Sequence, residues 1–145
     1  MKLSVFIDKK HEEEIIIYSH EKSKLISDIE ELISESVNEI VGYDDKKAVI
    51  LSPSDIYCFI SEDNKIYAVT EKERLAVKYR IYQLEEKLKN NFIKINQSCI
   101  ANIKKIDYFD ASIFGSLTVR FKNGYTDYVS RRNIKKVKER LGLYL

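Results

Sequence analysis

A polar interruption in an apolar run is the first candidate for chemistry in this sequence. Residues 92–102 form an apolar stretch into which Asn96, Gln97 and Ser98 are inserted. A side-chain amide can hydrogen-bond the N6 and N7 atoms of adenine, whereas a buried amide without a partner would be costly. We therefore expect these side chains to be exposed in a loop, where they could contact a base, or else to be hydrogen-bonded. A plain structural turn is the simpler alternative.

A cationic segment near the C-terminus is the second candidate. Ser130 is placed to cap a final helix, and Arg131 and Arg132 fall in the first turn of that helix. The free N–H groups and the dipole of a helix N-terminus favour anions, so this end suits a phosphate or a guanine edge. Lys135 and Lys136 extend the positive charge along the helix. Ordinary solvated cations on a helix surface are the alternative interpretation.

The charge of the chain is distributed unevenly along its length. Lysine and arginine number 5 against 10 acidic residues in residues 1–43, 8 against 9 in residues 44–88, and 12 against 4 in residues 89–145. The near-neutral formal net charge of +2 therefore hides an acidic start and a strongly basic end. Such asymmetry points to a polyanionic partner for the basic end.

Sequence motifs of catalysis, metal binding and membrane insertion are missing. His11 lacks the second histidine of a zinc protease, and four glycines supply no phosphate-binding loop. We expect no enzyme, no metal site and no cofactor. Cys58 and Cys99 lie singly in apolar runs and are expected to be reduced core thiols. No run approaches the roughly 20 apolar residues of a membrane span, so we expect a cytoplasmic protein.

The elements that must position these residues are mostly strands. Apolar runs predict strands or core segments at residues 2–7, 14–18, 47–51, 56–60, 66–69, 75–79, 92–95, 99–103, 106–109, 117–121 and 125–129. Periodic apolar residues predict an amphipathic helix from Glu21 to near Gly42, a short helix over residues 81–88, and a final helix that ends at Gly142. Asn123-Gly124 predicts a tight hairpin turn. The predicted fold class is mainly β with flanking helices (α+β).

The order and spacing of the two polar segments resemble those of a known family. Phe92-x-Lys94-x-Asn96-Gln97-Ser98-x-Ile100-x-Asn102, followed after a hairpin by Val129-Ser130-Arg131 and a short basic helix, is similar to the LytTR DNA-binding domain of bacterial transcription regulators. The usual sequence motif of that family is close to F-x-R-x-H-[RN]-S-x-x-V-N, followed later in the chain by V-S-R. The resemblance runs from about Lys46 to Leu141. Departures at Lys94, Asn96 and Gln97 bear on base preference rather than on the fold.

This resemblance implies a module of LytTR-like antiparallel β-sheets whose loops enter successive major grooves of double-stranded DNA and bend it. The contacting positions of the family carry over to Gln97, to Arg132 and, at the turn before Ile66, to Lys65. The predicted DNA-binding set adds their polar and cationic neighbours and comprises Lys65, Asn96, Gln97, Ser98, Arg131, Arg132, Lys135 and Lys136. Loops of this kind give few base contacts, so phosphate contacts and DNA deformability should supply much of the affinity.

Residues 1–43 form a leader in front of the predicted DNA-binding domain, residues 44–145. A receiver domain needs the length of a full domain, so we expect a stand-alone regulator without a receiver of its own. The leader is predicted to be a strand-strand-helix unit. Its apolar stripe suggests a surface for a second copy, and therefore a homodimer. The stripe consists of Leu25, Ile29, Leu32 and Ile33. A regulatory protein is a further expected partner.

Two rival functions fit parts of the same sequence. Ten tyrosines could stack on RNA or single-stranded DNA, although most lie at alternating strand positions that need a core, and no RNP-like aromatic motif is present. The chain could also be a protein-interaction module in a membrane-sensor pathway, with a basic end that is merely solvated. A sequence-specific DNA-binding regulator of transcription is the leading hypothesis.

Overall fold

Two antiparallel sheets and three flanking α-helices are the main regular elements of the described part of the chain. The computed structural model describes residues 2–37, 39–112 and 114–145. The helices are α1 (Lys24–Val37), α2 (Ile81–Lys87) and α3 (Arg131–Leu141). The strands are β1 (Ile40–Tyr43), β2 (Ala48–Leu51), β3 (Cys58–Glu62), β4 (Lys65–Val69), β5 (Arg74–Val77), β6 (Phe92–Asn96), β7 (Cys99–Asn102), β8 (Ile106–Ala111), β9 (Leu117–Phe121) and β10 (Thr126–Val129). The predicted mainly β fold with flanking helices is confirmed.

The larger sheet has seven strands in the order β2-β1-β5-β4-β3-β7-β6. On one of its faces, the pairing register places Phe59 between Ala68 and Ile100, and Leu75 beside Ala68. Helix α2 covers this row of side chains, and its Leu84 is fully buried in the same core. Because this face carries α2, its apolar residues are shielded from water without the second sheet.

The opposite face of the larger sheet packs against the smaller one. Cys58 belongs to this second core, together with Leu117 and Phe121 from the smaller sheet and Val137 from α3. The smaller sheet has the strand order β10-β9-β8. The apolar run 56–60 is buried on both faces, as predicted, because β3 lies between β4 and β7 in the middle of the larger sheet. The larger sheet is thus the central layer of the fold.

Local turn chemistry fixes two of the hairpins. Asp63 and Asn64 join β3 to β4 with φ angles of 52° and 62°, which a two-residue turn of type I′ requires. Gly124 turns the chain between β9 and β10 with a φ of 91°. The predicted turn before Ile66 and the predicted hairpin at Asn123-Gly124 are both confirmed, although β10 begins at Thr126 rather than one residue earlier.

The start of the chain departs from the sequence prediction. Residues 2–7 and 14–18 form no strand, since neither run has a ladder partner within the described chain. Helix α1 ends at Val37, and the prediction that it continues to Gly42 is wrong. Residues 40–43 instead form β1, which pairs with β2 and β5 and thereby buries Ile40 completely.

The glycine in β1 allows this strand to approach its neighbour. A Cβ atom built on Gly42 would lie only 2.7 Å from the Cβ atom of Leu75. Any larger residue would have to move β1 away from β5. Gly42 therefore serves close strand packing and not the end of a helix.

Candidate nucleic-acid interface

The polar turn, residues 96–98, forms the tip of the hairpin between β6 and β7. Asn96 is the last residue of β6, and Gln97 and Ser98 are exposed at the tip. The backbone N–H of Ser61 on β3 donates to the carbonyl oxygen of Ser98 at 2.8 Å. The sheet thus holds the backbone of the polar turn while the side chains of Gln97 and Ser98 face solvent.

The amide of Asn96 points into the protein, where every one of its polar atoms has a partner. Asn96 is only 1% exposed. Its Nδ2 atom donates to Oδ1 of Asp127 at 3.0 Å and to the carbonyl oxygen of Tyr128 at 2.8 Å. Its Oδ1 atom accepts from the backbone N–H of Ser98 at 2.8 Å. Of the two expectations for this residue, exposed or hydrogen-bonded, the second holds, and the amide is not presented to a ligand.

Asp127 links the polar turn to the core beneath it. Its Oδ2 atom accepts from the hydroxyl of Tyr125 at 3.0 Å, while its other oxygen binds Asn96. Burial and the Asp127 charge raise the pKa of Tyr125, so this side chain stays a neutral hydrogen-bond donor.

The two cysteines are buried and free, as predicted. A hydrogen-bonding contact with Cys58, together with burial, raises the pKa of the Cys99 thiol well above its ordinary value. The thiolate is the reactive form of cysteine, so Cys99 is held in its unreactive protonated form. These residues therefore contribute packing under the polar turn.

The start of α3 is attached to the larger sheet by its backbone. The N–H of Ser130 donates to the carbonyl oxygen of Ile95 on β6 at 2.8 Å. Ser130 occupies the N-cap position, as predicted, but its hydroxyl accepts from Nδ2 of Asn133 at 2.7 Å instead of from a helix N–H. Arg131 and Arg132 follow in the first turn and are exposed.

Two hydrogen bonds join the two candidate segments into one surface. One is the bond from Ser130 to Ile95, and the other is the bond from the Asn96 amide to the carbonyl oxygen of Tyr128. Residue 95 directly precedes the polar turn and residue 96 is its first residue, while residues 128 and 130 lie just before α3. The polar turn and the arginines of α3 are therefore held next to each other by the fold.

The remaining cations of α3 divide into two groups. Lys135 is exposed and has no ion-pair partner among the described residues, whereas Lys136 lies 3.8 Å from a carboxylate oxygen of Glu85. Lys138 donates to the carbonyl oxygen of the last residue at 2.7 Å. Arg140 donates to two carbonyl oxygens of the loop after α2, at 2.8 and 2.9 Å. The end of the helix thus uses its cations to hold the fold, and the beginning leaves its cations exposed.

A groove with a volume of about 920 Å³ runs beside the polar turn. Two predicted contact residues, Lys65 and Gln97, line it, and so do Lys78, Arg80 and Lys94, which were outside the predicted set. We call this feature the basic groove. The missed cations come from two separate stretches of sequence, so only the strand pairing of the sheet could have brought them together.

The described residues also bear on metal binding and membrane insertion. There, no group of three or more histidine, cysteine, aspartate or glutamate side chains could hold a metal ion. Within the same ranges, no helix combines the length and the apolar character that a membrane crossing requires.

Comparison with known sequences identifies relatives over almost the whole of this chain. The sequence model of the LytTr DNA-binding domain matches residues 46–142. Relatives from Staphylococcus aureus strains MSSA476, MW2 and NCTC 8325 are each 32% identical over 149 aligned positions, which cover 99% of this chain and 99% of each relative. All three are called uncharacterized HTH-type transcriptional regulators. The leader is therefore included in these alignments.

A solved structure has the same fold. It is the LytTr DNA-binding domain of a protein described as a methyl-accepting/DNA response regulator from Bacillus cereus. The two structures agree with a TM-score of 0.69 at 21% sequence identity, over 72% of this chain and 97% of that chain. The family is one of DNA-binding regulators and not a class of enzymes. Since the family model matches well over half of the sequence, the chain belongs to the LytTR family and contains its DNA-binding domain.

Proposed function

We propose that this DNA-binding transcription regulator contacts the major groove of double-stranded DNA through the polar turn and the first turn of α3. In this proposal Gln97 and Arg132 contact base edges, because an amide and a guanidinium group can each form paired hydrogen bonds with a base. The predicted residues around them, Ser98, Arg131, Lys135 and Lys136, contact phosphates. Lys65 extends the contact surface along the basic groove.

One observation supports this proposal above all others. The polar turn and the start of α3 are far apart in sequence, yet the bonds from Ser130 to Ile95 and from Asn96 to Tyr128 hold them side by side. Exposed amide and guanidinium groups then share one surface, which is what recognition of both bases and phosphates needs. Because the amide of Asn96 is fully hydrogen-bonded within the protein, we assign it the role of positioning Gln97 and Ser98. Since the proposed partner is chromosomal DNA, we place the protein in the cytoplasm.

Replacing Gln97 with alanine is expected to relax the preference at one base position of the DNA site. Gln97 is exposed, so its removal should leave the thermal unfolding of the protein unchanged. Selection of binding sites from random duplexes, with the wild type and the variant at one fixed salt concentration, measures the change. A matched control is Asn90→Ala, which removes another exposed amide at the opposite end of α3.

Several outcomes of that selection would overturn the proposal. If the wild type yields no motif and its binding does not depend on salt, then a protein-interaction module is favoured. A preference for RNA or single strands over duplexes favours the second rival function. If Gln97→Ala lowers only the unfolding temperature, then Gln97 is part of a structural turn.

We further propose that the leader pairs two copies of the chain into a homodimer. Its apolar side chains are highly exposed, with Phe6 at 89% and Ile16 at 63%. Leu25 and Leu32 on α1 are exposed as well. Exposed apolar patches of this extent mark interaction surfaces in soluble proteins. The ion pair between Lys104 and Glu31 connects α1 to the DNA-binding domain, so a dimer built on the leader would hold two such domains together.

Introducing a charge into the leader is expected to produce a monomer. Burying a glutamate in an apolar dimer interface is unfavourable, so Phe6→Glu should shift the molar mass in light scattering from that of two chains to that of one. Phe114→Glu is the matched control, because Phe114 is equally exposed at 89% but lies outside the leader. A wild type that is monomeric at high concentration, or a Phe6→Glu variant that stays dimeric, would rule out this assembly.

A further inference from the structure

The basic groove has a floor made by three neighbouring strands. Ser61 of β3 pairs with Ile66 of β4, and Ile66 pairs with Val77 of β5, so these three side chains lie in one row on the face that α2 partly covers. The first turn of α2 bounds this row on one side, and the polar turn bounds it on the other side. The groove is therefore a trough that leads away from Gln97 across the sheet.

The side chains that line this trough give it a single sign of charge. All ionised groups along it are basic, and they are Lys65, Lys78, Arg80 and Lys94. Within the described part of the chain, none of them has a carboxylate within ion-pair distance. The ammonium group of Lys78 lies 5.2 Å from the ring centroid of Tyr43, and this ring attracts the cation without supplying a negative charge. Clustered cations without counter-charges create a positive potential that attracts a polyanion.

We infer that the basic groove holds the sugar-phosphate backbone of the duplex that the polar turn contacts, with Arg80 and Lys94 as phosphate-binding residues. This inference rests on the proposed function and adds two residues to the proposed contact surface. Lys94 lies on β6, two residues before Asn96, and pairs with Ile100 on the same face as the floor of the groove. Arg80 stands at the start of α2, where its backbone N–H donates to Oε1 of Gln83 at 2.9 Å. Both cations are thus carried by fixed backbone.

The shape of the groove favours a polymer over a small phosphorylated ligand. Small-molecule sites are concave and bury most of the ligand among apolar walls. Here the cations are exposed or half-buried along an open trough, and Gln97 stands at one end of it. A duplex that places a base edge at Gln97 must continue on either side, and its backbone needs a cationic track there.

The salt dependence of DNA binding tests this inference. Fluorescence anisotropy of the full chain, titrated with the selected duplex and with an unrelated duplex, gives the slope of log K against log of salt concentration. Arg80→Gln and Lys94→Gln should each weaken binding to both duplexes by the same factor and lower the slope by about one, because each removes one phosphate contact. The double variant should lower the slope by about two. Lys72→Gln is the matched control, since Lys72 is an exposed cation in the turn at the other end of β4 and β5.

The outcomes separate this inference from the function on which it rests. If the double variant keeps the slope of the wild type while the wild type binds its site specifically, then the groove is not a phosphate track although the proposed function stands. A loss limited to the selected duplex would make these residues base contacts and would also overturn the inference. If inorganic pyrophosphate binds the wild type and neither variant changes DNA binding, then the groove binds a small anion and the inference is wrong. A wild type that binds no duplex overturns both proposals.

Discussion

Asn96→Ala is expected to lower the free energy of unfolding by about 2 to 4 kcal/mol and to abolish specific DNA binding at ordinary protein concentrations. The side chain is buried, and its removal leaves the carbonyl oxygen of Tyr128 and the N–H of Ser98 without their partners. The variant loses three hydrogen bonds, one of them to the carboxylate of Asp127, and each contributes about 1 kcal/mol to stability. The same change releases the polar turn from the strand that leads into α3, so Gln97 and Arg132 lose their fixed relative position.

Two further variants distinguish this positioning role from a base contact. Asn96→Asp keeps the shape of the side chain and the acceptor for Ser98, but it places a carboxylate against the carboxylate of Asp127 and removes both donated hydrogen bonds. We expect Asn96→Asp to be at least as destabilising as Asn96→Ala. Gln97→Ala should leave unfolding unchanged. Chemical denaturation and anisotropy on the same samples provide the two readouts. If Asn96→Ala keeps wild-type stability but loses specific binding, then Asn96 contacts a base and its buried position changes on binding.

The role of Asn96 illustrates which part of the site a sequence can predict. The residues of the polar turn were singled out correctly as polar groups that interrupt a strand. The sequence could not show which of these residues is structural and which is exposed to a ligand, because the hydrogen-bond partners of Asn96 on β10 lie 31 and 32 residues away. Only the pairing of distant strands decides that Asn96 points inward, whereas Gln97 and Ser98 are exposed.

The same distinction between local and distant causes applies to the fold. The hairpins at Asp63-Asn64 and Asn123-Gly124 depend on backbone angles that their own residues favour, so the sequence predicts them. The need for a glycine within β1 has a distant cause, since the Cβ atom of Leu75, more than thirty positions away, leaves no room for a Cβ atom at Gly42. Residues 2–7 and 14–18 have the composition of strands but no ladder partner in the described chain. Composition gives a tendency to pair, and the partner decides whether a strand forms.

Cations on α3 show why charge alone does not identify a DNA contact. Charge alone would make Arg132, Lys138 and Arg140 equivalent, whereas the predicted helix start already singles out Arg131 and Arg132 in the sequence. In the structure, Lys138 donates to the carbonyl oxygen of Leu145, and Arg140 donates to two carbonyl oxygens of the loop after α2. Both side chains thereby hold neighbouring segments of the fold. Arg132 lies in the first turn, where the helix is fixed to β6 and its surface is exposed. The proposed contacts of α3 therefore concentrate at its N-terminal end, where the helix dipole also favours an anion.

Arg132→Ala is expected to weaken binding to the selected duplex by about 1 to 3 kcal/mol, which is about 5- to 150-fold in Kd. This is the effect of losing a bidentate contact between a guanidinium group and a base edge. Affinity for an unrelated duplex should fall much less, because that complex depends on phosphate contacts. The exposed position of Arg132 predicts no change in unfolding.

Lys136→Ala is the control that distinguishes a base contact of Arg132 from a phosphate contact. Lys136 is an exposed cation on the same helix, and its ion pair with Glu85 at 3.8 Å contributes little stability because both groups are solvated. As a phosphate contact, it should weaken binding to the selected and the unrelated duplex alike and lower the salt slope by about one. Equal losses on both duplexes for Arg132→Ala would contradict base recognition by Arg132 and make it a second phosphate contact. Sequence preference would then have to come from Gln97 and from the deformability of the DNA.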